Sequence, residues 1–386
     1  MKRILLVISV ILASCASAPP LPTITPTLPA TPTHSATPTS TATVTPLPTL
    51  SPTPDPYYSW SIDYLRSRTY GGGQIEFLEV MAQNLYFTRY LMRFPSDGLN
   101  IYGFADIPND EGPHPVIIAL HGYIDPSIYD TLDYTTHYAD AIASAGYVVL
   151  HPNLRGYAPS DQGDNLFRVG MAIVVLNLIA LVQSQSGGTA LLRTALPDRI
   201  GMWGHSMGGG VTLKALTVIG GLETSRGEQW DHPARLDIKA AVLYSTVSAD
   251  TVDLINRWGM GCFGDILEGE QIIGCNSSDV ISMDLPMNVQ DAYRFAASDA
   301  DTLKRISPIN YLDQVTAPIQ IHYGAEDGKT LAGTPPEWSV KLTQALRDEG
   351  KYAEMYQYEG EGHSFIGQPW FDFMIRTLRF FDRYLK

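Results

Sequence analysis

Five short runs of the chain are apolar without the polar alternation of a half-exposed strand: Pro115–Leu120 (PVIIAL), Tyr147–Leu150 (YVVL), Arg199–Trp203 (RIGMW), Ala240–Tyr244 (AAVLY) and Pro318–Tyr323 (PIQIHY). Strands covered on both faces have this composition. Helically patterned stretches separate and follow them, at Thr135–Ala145, Leu166–Gln183, Met207–Gly220, Pro336–Glu349 and Phe371–Leu385. The alternation predicts an α/β class, with a mostly parallel central sheet and helices on both faces. Val169–Val182 is apolar all round but shorter than the roughly 20 residues of a membrane span, so a helix packed beside the sheet is expected. Ahead of these runs, Leu85–Arg93 and Ile101–Ile107 flank Ser96-Asp97-Gly98, and Asp-Gly between two apolar runs marks a hairpin. No repeat of fixed period supports a propeller or solenoid.

The rhythm breaks at Ser248–Ser307, where Gly, Asn and Ser cluster with Cys262, Cys275 and the aromatics Trp258, Phe263 and Tyr293. The segment is too long for an ordinary loop and reads as a small, mostly helical insertion, or cap, over the carboxyl end of the sheet. At the front, Met1-Lys2-Arg3, an apolar stretch from Ile4 to Ala13 and Ser14-Cys15 make a basic start, a short apolar core and a small-residue cleavage site. Residues 16–56 are dominated by Pro and Thr and lack the apolar side chains that would offset ordering entropy, so they read as a disordered stalk. The 386 residues thus divide into an export signal (1–15), a stalk (16–56) and one globular body (57–386).

Charge and cysteine use exclude several classes. The formal net charge of −14, with no basic stripe, argues against nucleic acid as a partner. There is no CxxC pair, no HExxH and no EF-hand spacing, so neither a metal nor another cofactor is expected. In an exported chain, Cys262 and Cys275 form an even pair expected to be disulfide-bonded.

Ile200 to Gly210 (IGMWGHSMGGG) contains G-x-S-x-G directly after an expected strand and before an expected helix. A tight strand-to-helix turn presents the Ser206 hydroxyl beside a helix N-terminus, which makes it the candidate nucleophile. A serine hydroxyl is a weak nucleophile and needs a base oriented by a third group. Where such an elbow is used, the acid and then the histidine follow along the chain. Gly324-Ala325-Glu326-Asp327-Gly328 places carboxylates after a strand, with Asp327 the first choice and Glu326 the runner-up. His363, in Gly360-Glu361-Gly362-His363, is the histidine downstream of that acid. His205 reads as packing at the elbow, and His137, His151, His232 and His322 as core or surface residues. The oxyanion of an acyl-transfer intermediate needs preorganised N–H donors. The backbone N–H groups of Met207 and of Tyr123, in the loop after Leu120, are the candidates.

With these residues in place the chain resembles the α/β-hydrolase superfamily and, within it, the catalytic domain of the prolyl oligopeptidase-like (S9) serine hydrolases. The resemblance runs from about Phe94 to Lys386. It rests on Ser96-Asp97-Gly98 with Ile101-Tyr102-Gly103, on Leu120-His121-Gly122-Tyr123, Asn153-Leu154-Arg155-Gly156-Tyr157 and Gly204-His205-Ser206-Met207-Gly208-Gly209, and on Asp327 and His363. It implies that Arg155 lies in the loop shaping the active-site wall and that Asn153 stands where many relatives carry Asp. Peptidases of this group usually carry a propeller ahead of the hydrolase domain; here the stalk leads almost directly into it. Leu12-Ala13-Ser14-Cys15 likewise resembles the lipobox of bacterial lipoproteins, which implies lipidation at Cys15 and an anchor in a membrane outside the cytoplasm.

The expectation is an exported, membrane-tethered serine hydrolase acting on a small ester or short peptide through an acyl-enzyme. Two alternatives stand beside it: a carboxylesterase without peptidase activity, and a catalytically silent surface-binding module. Trp258, with Phe263, Tyr293 and Trp338, is a candidate for lining an apolar substrate pocket, against the plainer reading of core aromatics.

Overall fold

The computed structural model describes Asp55 and residues 57–188, 191–220, 236–258 and 295–386. The hairpin forms where Asp-Gly placed it, between β2 (Phe87–Ser96) and β3 (Leu99–Pro108), preceded by an exposed edge strand β1 (Glu76–Gln83). Ser96 pairs with Leu99, and Asp97 and Gly98 both have positive φ, 50° and 84°, as a two-residue turn matched to strand twist requires. The five apolar runs become β4 (His114–Leu120), β5 (Val148–Pro152), β6 (Ala195–His205), β7 (Ala240–Tyr244) and β8 (Ile319–Gly324). A ninth strand, β9 (Ala353–Tyr358), closes the far edge. The order is β1-β2-β3-β5-β4-β6-β7-β8-β9, antiparallel from β1 to β5 and parallel from there on.

Successive side chains of a strand point to opposite faces, so a strand apolar at every residue feeds two cores. In β4, Val116, Ile118 and Leu120 join one core with Leu150, Met202 and Leu243, while Ile117 and Ala119 join the other with Val149, Trp203 and Val242. The first core is covered by α1 (Ile62–Ser67), α3 (Val169–Gln185), α4 (Met207–Ile219), α5 (Ala300–Ile306) and α6 (Pro336–Asp348). The second is covered by α2 (Thr136–Ser144) and α7 (Gly367–Leu385).

The helix expected beside the sheet is α3. Leu166–Gln185 is long and apolar enough to cross a membrane, yet 94% of its apolar 18-residue window is buried within the protein. Chain entering the sheet supplies part of its cover: Gly71 N–H donates to Asn177 Oδ1 at 2.9 Å and Ile75 N–H to Gln185 Oε1 at 3.0 Å.

Most boundaries shift by one to three residues from the sequence reading, and two starts shift by four. The last helix begins at Gly367 rather than Phe371, because Gln368 and Pro369 form a polar first turn in which proline is tolerated. The strand read as Arg199–Trp203 extends over Ala195–His205, its first part carrying the half-exposed Leu196 and Pro197 and the exposed Asp198. Within the Ser248–Ser307 insertion, residues 251–258, 295–298 and Ala300–Ile306 are helical. Cys262, Phe263, Cys275 and Tyr293 lie outside the described residues, as do Cys15 and the rest of residues 1–54, and His232.

Candidate active site

β6 ends at His205 and α4 starts at Met207, so Ser206 alone turns the chain. Its φ of 53° with ψ of −115° is a conformation that costs a non-glycine residue about 1–3 kcal/mol and persists only where its surroundings hold it. Here the Ser206 N–H donates to Tyr244 O at 2.9 Å, and Ser206 O accepts from Gly209 N–H at 3.0 Å. The two motif glycines are required by close approach: a Cβ on Gly204 would stand 2.4 Å from Gly208 O, and one on Gly208 2.4 Å from Leu120 O. The elbow is thereby pressed both against itself and against the end of β4. Met207 opens α4, so its amide is among the helix-start N–H groups without an intrahelical acceptor.

Asp327 lies in the loop after β8 and His363 in the loop between β9 and α7. His363 Nδ1 is 3.1 and 3.0 Å from the two Asp327 oxygens. The acid side chain is 1% exposed and the imidazole 28%, so the pair has a buried and a solvent-facing end. Asp327 also accepts from Gly328 N–H at 2.7 Å, Thr334 N–H at 2.9 Å and Thr334 Oγ1 at 2.8 Å. Burial opposes its charge, but the His363 contact and these donors outweigh burial and hold the carboxyl below its ordinary range. A carboxylate accepts only, so His363 Nδ1 carries the proton and Nε2 is left as the basic nitrogen. Glu326 turns away and pairs with Lys329.

His205 joins this pair to the elbow. Its Nε2 is 2.9 Å from His363 O, and the two rings are 4.7 Å apart between centroids. Burial, followed by the proximity of His363, pushes the His205 pKa down to about 3, so it is neutral.

The loop after β4 passes against the serine: a Cβ on Gly122 would lie 3.1 Å from Ser206 Cβ. Tyr123 follows, half-buried against the first core. Behind it, Asn153 is fully buried and its side chain is saturated. Nδ2 donates to Thr131 Oγ1 and Ala158 O, each at 2.9 Å, and Oδ1 accepts from Tyr129 at 3.2 Å. An Asp here would face Ala158 O without a proton to donate, which accounts for the amide at this position.

Arg155 is buried, with Nη1 donating to Asp164 O at 2.7 Å. Trp258 donates its indole N–H to Leu331 O at 2.8 Å and meets Trp338 edge-on, with centroids 5.4 Å apart. Trp258 therefore packs on the loop that follows Asp327, and Trp338 stands in the first turn of α6 just beyond it. Arg257 donates to Gly328 O, Thr330 O and Gly333 O at 3.0, 2.7 and 3.0 Å, lacing that loop to helical residues 251–258.

The structure thus brings Asp327 to His363 and His363 to the residue preceding Ser206, with the Tyr123 loop alongside. Sequence reasoning missed Thr334, which spends both its N–H and its hydroxyl on Asp327, and Tyr134, whose hydroxyl is 2.9 Å from His205 Nδ1. Neither stands in a recognisable pattern; each is brought in by a loop closing. Among the described residues no group of three or more His, Cys, Asp or Glu is placed to hold a metal ion.

No family model matches the sequence, and no curated protein matches it either. Solved structures do match. An acylaminoacyl peptidase from Pyrococcus horikoshii is 24% identical, with a TM-score of 0.54, over 78% of this chain and 42% of that one. This chain therefore spans less than half the length of that peptidase. Acetyl xylan esterase 1 from a Thermoanaerobacterium species is 16% identical, with a TM-score of 0.51, over 86% of this chain and 93% of the esterase. An esterase from Pyrococcus furiosus is 17% identical, with a TM-score of 0.51, over 82% of this chain and the whole of that one. Strand order, a serine alone at a strand-to-helix elbow and these likenesses agree: the chain has the α/β-hydrolase fold.

Proposed function

We propose that this protein is an exported serine hydrolase that cleaves a carboxylic ester or a peptide-type amide through an acyl-enzyme on Ser206. The observation that carries the reading is a strained serine at the elbow, next in the chain to a histidine bonded to the backbone of His363, whose Nδ1 a buried Asp327 holds. In this reading Ser206 Oγ attacks the carbonyl carbon and His363 Nε2 takes its proton. The oxyanion that forms is met by the N–H groups of Met207 and Tyr123. Collapse expels the leaving alkoxide or amine, which takes the proton back from His363. Water, activated by the same imidazole, then releases the acid and restores the hydroxyl.

Ester and amide share this chemistry, so the reading covers both bonds. The peptide branch draws on the prolyl oligopeptidase-like resemblance, and the ester branch on the two esterases whose chains this one spans almost completely. Export and a lipid anchor at Cys15 belong to the proposal and rest on Met1–Cys15 alone.

The test is hydrolysis of a short p-nitrophenyl ester and an Ala-Pro anilide by residues 57–386, with Ser206→Ala alongside. Serine-dependent cleavage of the ester is the expected result. Cleavage of the anilide as well assigns peptidase activity, and turnover undiminished in Ser206→Ala overturns the reading.

A further inference from the structure

Three loops meet at the candidate site: the Gly122-Tyr123 loop after β4, the elbow at His205-Ser206, and the His363 loop after β9. A single file of contacts crosses all three. The Tyr134 hydroxyl, packed against Gly122, is 2.9 Å from His205 Nδ1, and His205 Nε2 is 2.9 Å from His363 O.

The proton positions in this file are determined. His205 is buried and neutral, so it has one N–H. Its Nε2 faces a backbone carbonyl, which only accepts, so the proton is on Nε2 and Nδ1 is bare. Tyr134 must then give its hydroxyl proton to Nδ1, while its oxygen rests against Gly122. Every donor finds an acceptor, and all run in one direction. The fit is tight: a Cβ on Gly122 would come within 2.0 Å of the Tyr134 oxygen and 3.1 Å of both His205 Nδ1 and Ser206 Cβ. Tyr134 meets the His205 ring edge-on, at 5.5 Å and 77°, and Tyr244 packs at 4.4 Å from that ring.

We propose that Tyr134 and His205 form a positioning strut that sets the distance between the oxyanion loop and the backbone of His363, without either side chain touching the substrate. The inference rests on the hydrolase reading above. Without the phenol oxygen, Gly122 loses the stop that packs it beside Ser206, and the neighbouring Tyr123 amide loses its reference point. Without the imidazole, His363 O loses the donor that holds the loop of the base. Displacements of about 1 Å in such groups cost up to about 100-fold in rate, because they spoil the attack geometry while leaving substrate contacts in place.

The experiment is a double-mutant cycle on p-nitrophenyl ester hydrolysis by residues 57–386, using Tyr134→Phe, His205→Asn and the pair, with Ser206→Ala as the reference for background. Expected is a fall in kcat of about 10- to 100-fold in each single variant with KM unchanged. The double variant should be no slower than the slower single one, since breaking the file once removes its effect. His205→Asn probes the same strut from its other end should Tyr134→Phe fail to fold. Wild-type kcat in Tyr134→Phe, losses that multiply in the double variant, or a raised KM with kcat retained would each overturn the strut while leaving the hydrolase reading intact. Wild-type turnover no faster than Ser206→Ala would instead remove the reading on which the strut rests.

Discussion

Replacing Asp327 by Asn keeps the shape of the side chain and removes its charge. Oδ1 of the native acid accepts from Gly328 N–H and Thr334 N–H at 2.7 and 2.9 Å. An NH2 group there would face two N–H donors, so the amide oxygen takes that side and the NH2 replaces Oδ2. The NH2 then points at Thr334 Oγ1 and at His363 Nδ1, which lie 2.8 and 3.0 Å from Oδ2 in the native site. Thr334 adapts readily, because its proton turns to Ser245 O, 2.9 Å away, and its lone pair accepts the amide. His363 has no such freedom. Its Nδ1 has the NH2 as its nearer neighbour, 3.0 Å against 3.1 Å for the amide oxygen, so the tautomer with the proton on Nε2, the nitrogen assigned to receive the Ser206 proton, is favoured. A base held in the wrong tautomer costs about 10⁴ in kcat, or roughly 5.5 kcal/mol of barrier. Stability should change by no more than about 1–2 kcal/mol, since nearly every hydrogen bond is remade. Steady-state ester hydrolysis beside thermal denaturation measures both, with Glu326→Gln as the control expected to leave both unchanged. An Asp327→Asn enzyme within about tenfold of wild type would refute the assignment of tautomer and base.

Other outcomes follow from the same packing. Burial pushes His121, His151, His205 and His322 below the ordinary histidine value, so the native state holds them neutral while the unfolded chain binds protons below about pH 6.5. Stability is therefore intact above that pH and falls as pH drops, by up to about 1.4 kcal/mol per unit for each such histidine. Asp327, with its lowered value, contributes stability above the unfolded carboxyl range and loses it only at more acid pH. A melting temperature flat between about pH 7 and 5 would contradict these burials. In Gly208→Ala the new methyl meets Leu120 O at 2.4 Å and His121 O at 2.6 Å, both backbone, so about 3 kcal/mol of destabilisation is expected in a denaturant melt. Arg257→Ala frees the loop after Asp327 and should lower kcat about tenfold with a lowered melting temperature. Wild-type values of both would show that this lacing has no role.

The central sheet was legible because β4, β5, β7 and β8 are buried at every position and therefore apolar apart from His114, His151, Gln320 and His322. The edges were not. β1 (EFLEVMAQ) is mostly exposed and β9 (AEMYQY) half-buried over its middle, and their mixed composition carries no strand signal. Ser206 was legible because a turn this tight dictates glycines on either side. Asp327 was already preferred to Glu326 in the same loop, and the three-dimensional reason is that Asp327 reaches His363 Nδ1 while Glu326 pairs with Lys329. Thr334 and Tyr134 act through chain closures that no spacing records.

The cover over α3 has a consequence for how the chain is made. Gly71 reaches Asn177 across 106 positions, and Ile75 reaches Gln185 across 110, so the cover is synthesised long before the helix it protects. A chain crossing a membrane unfolded, as the export proposal requires, presents Leu166–Gln185 to lipid before that contact exists. Asn177 is the polar side chain amid Val169–Val182, and a polar amide at mid-helix disfavours partition into hydrocarbon. Under the export proposal one residue then serves two stages, holding Gly71 in the finished fold and keeping a greasy segment from lodging in the membrane. Asn177→Leu in the full chain should leave more protein integrated in the bilayer and resistant to carbonate extraction, and an unchanged soluble fraction would separate the two roles.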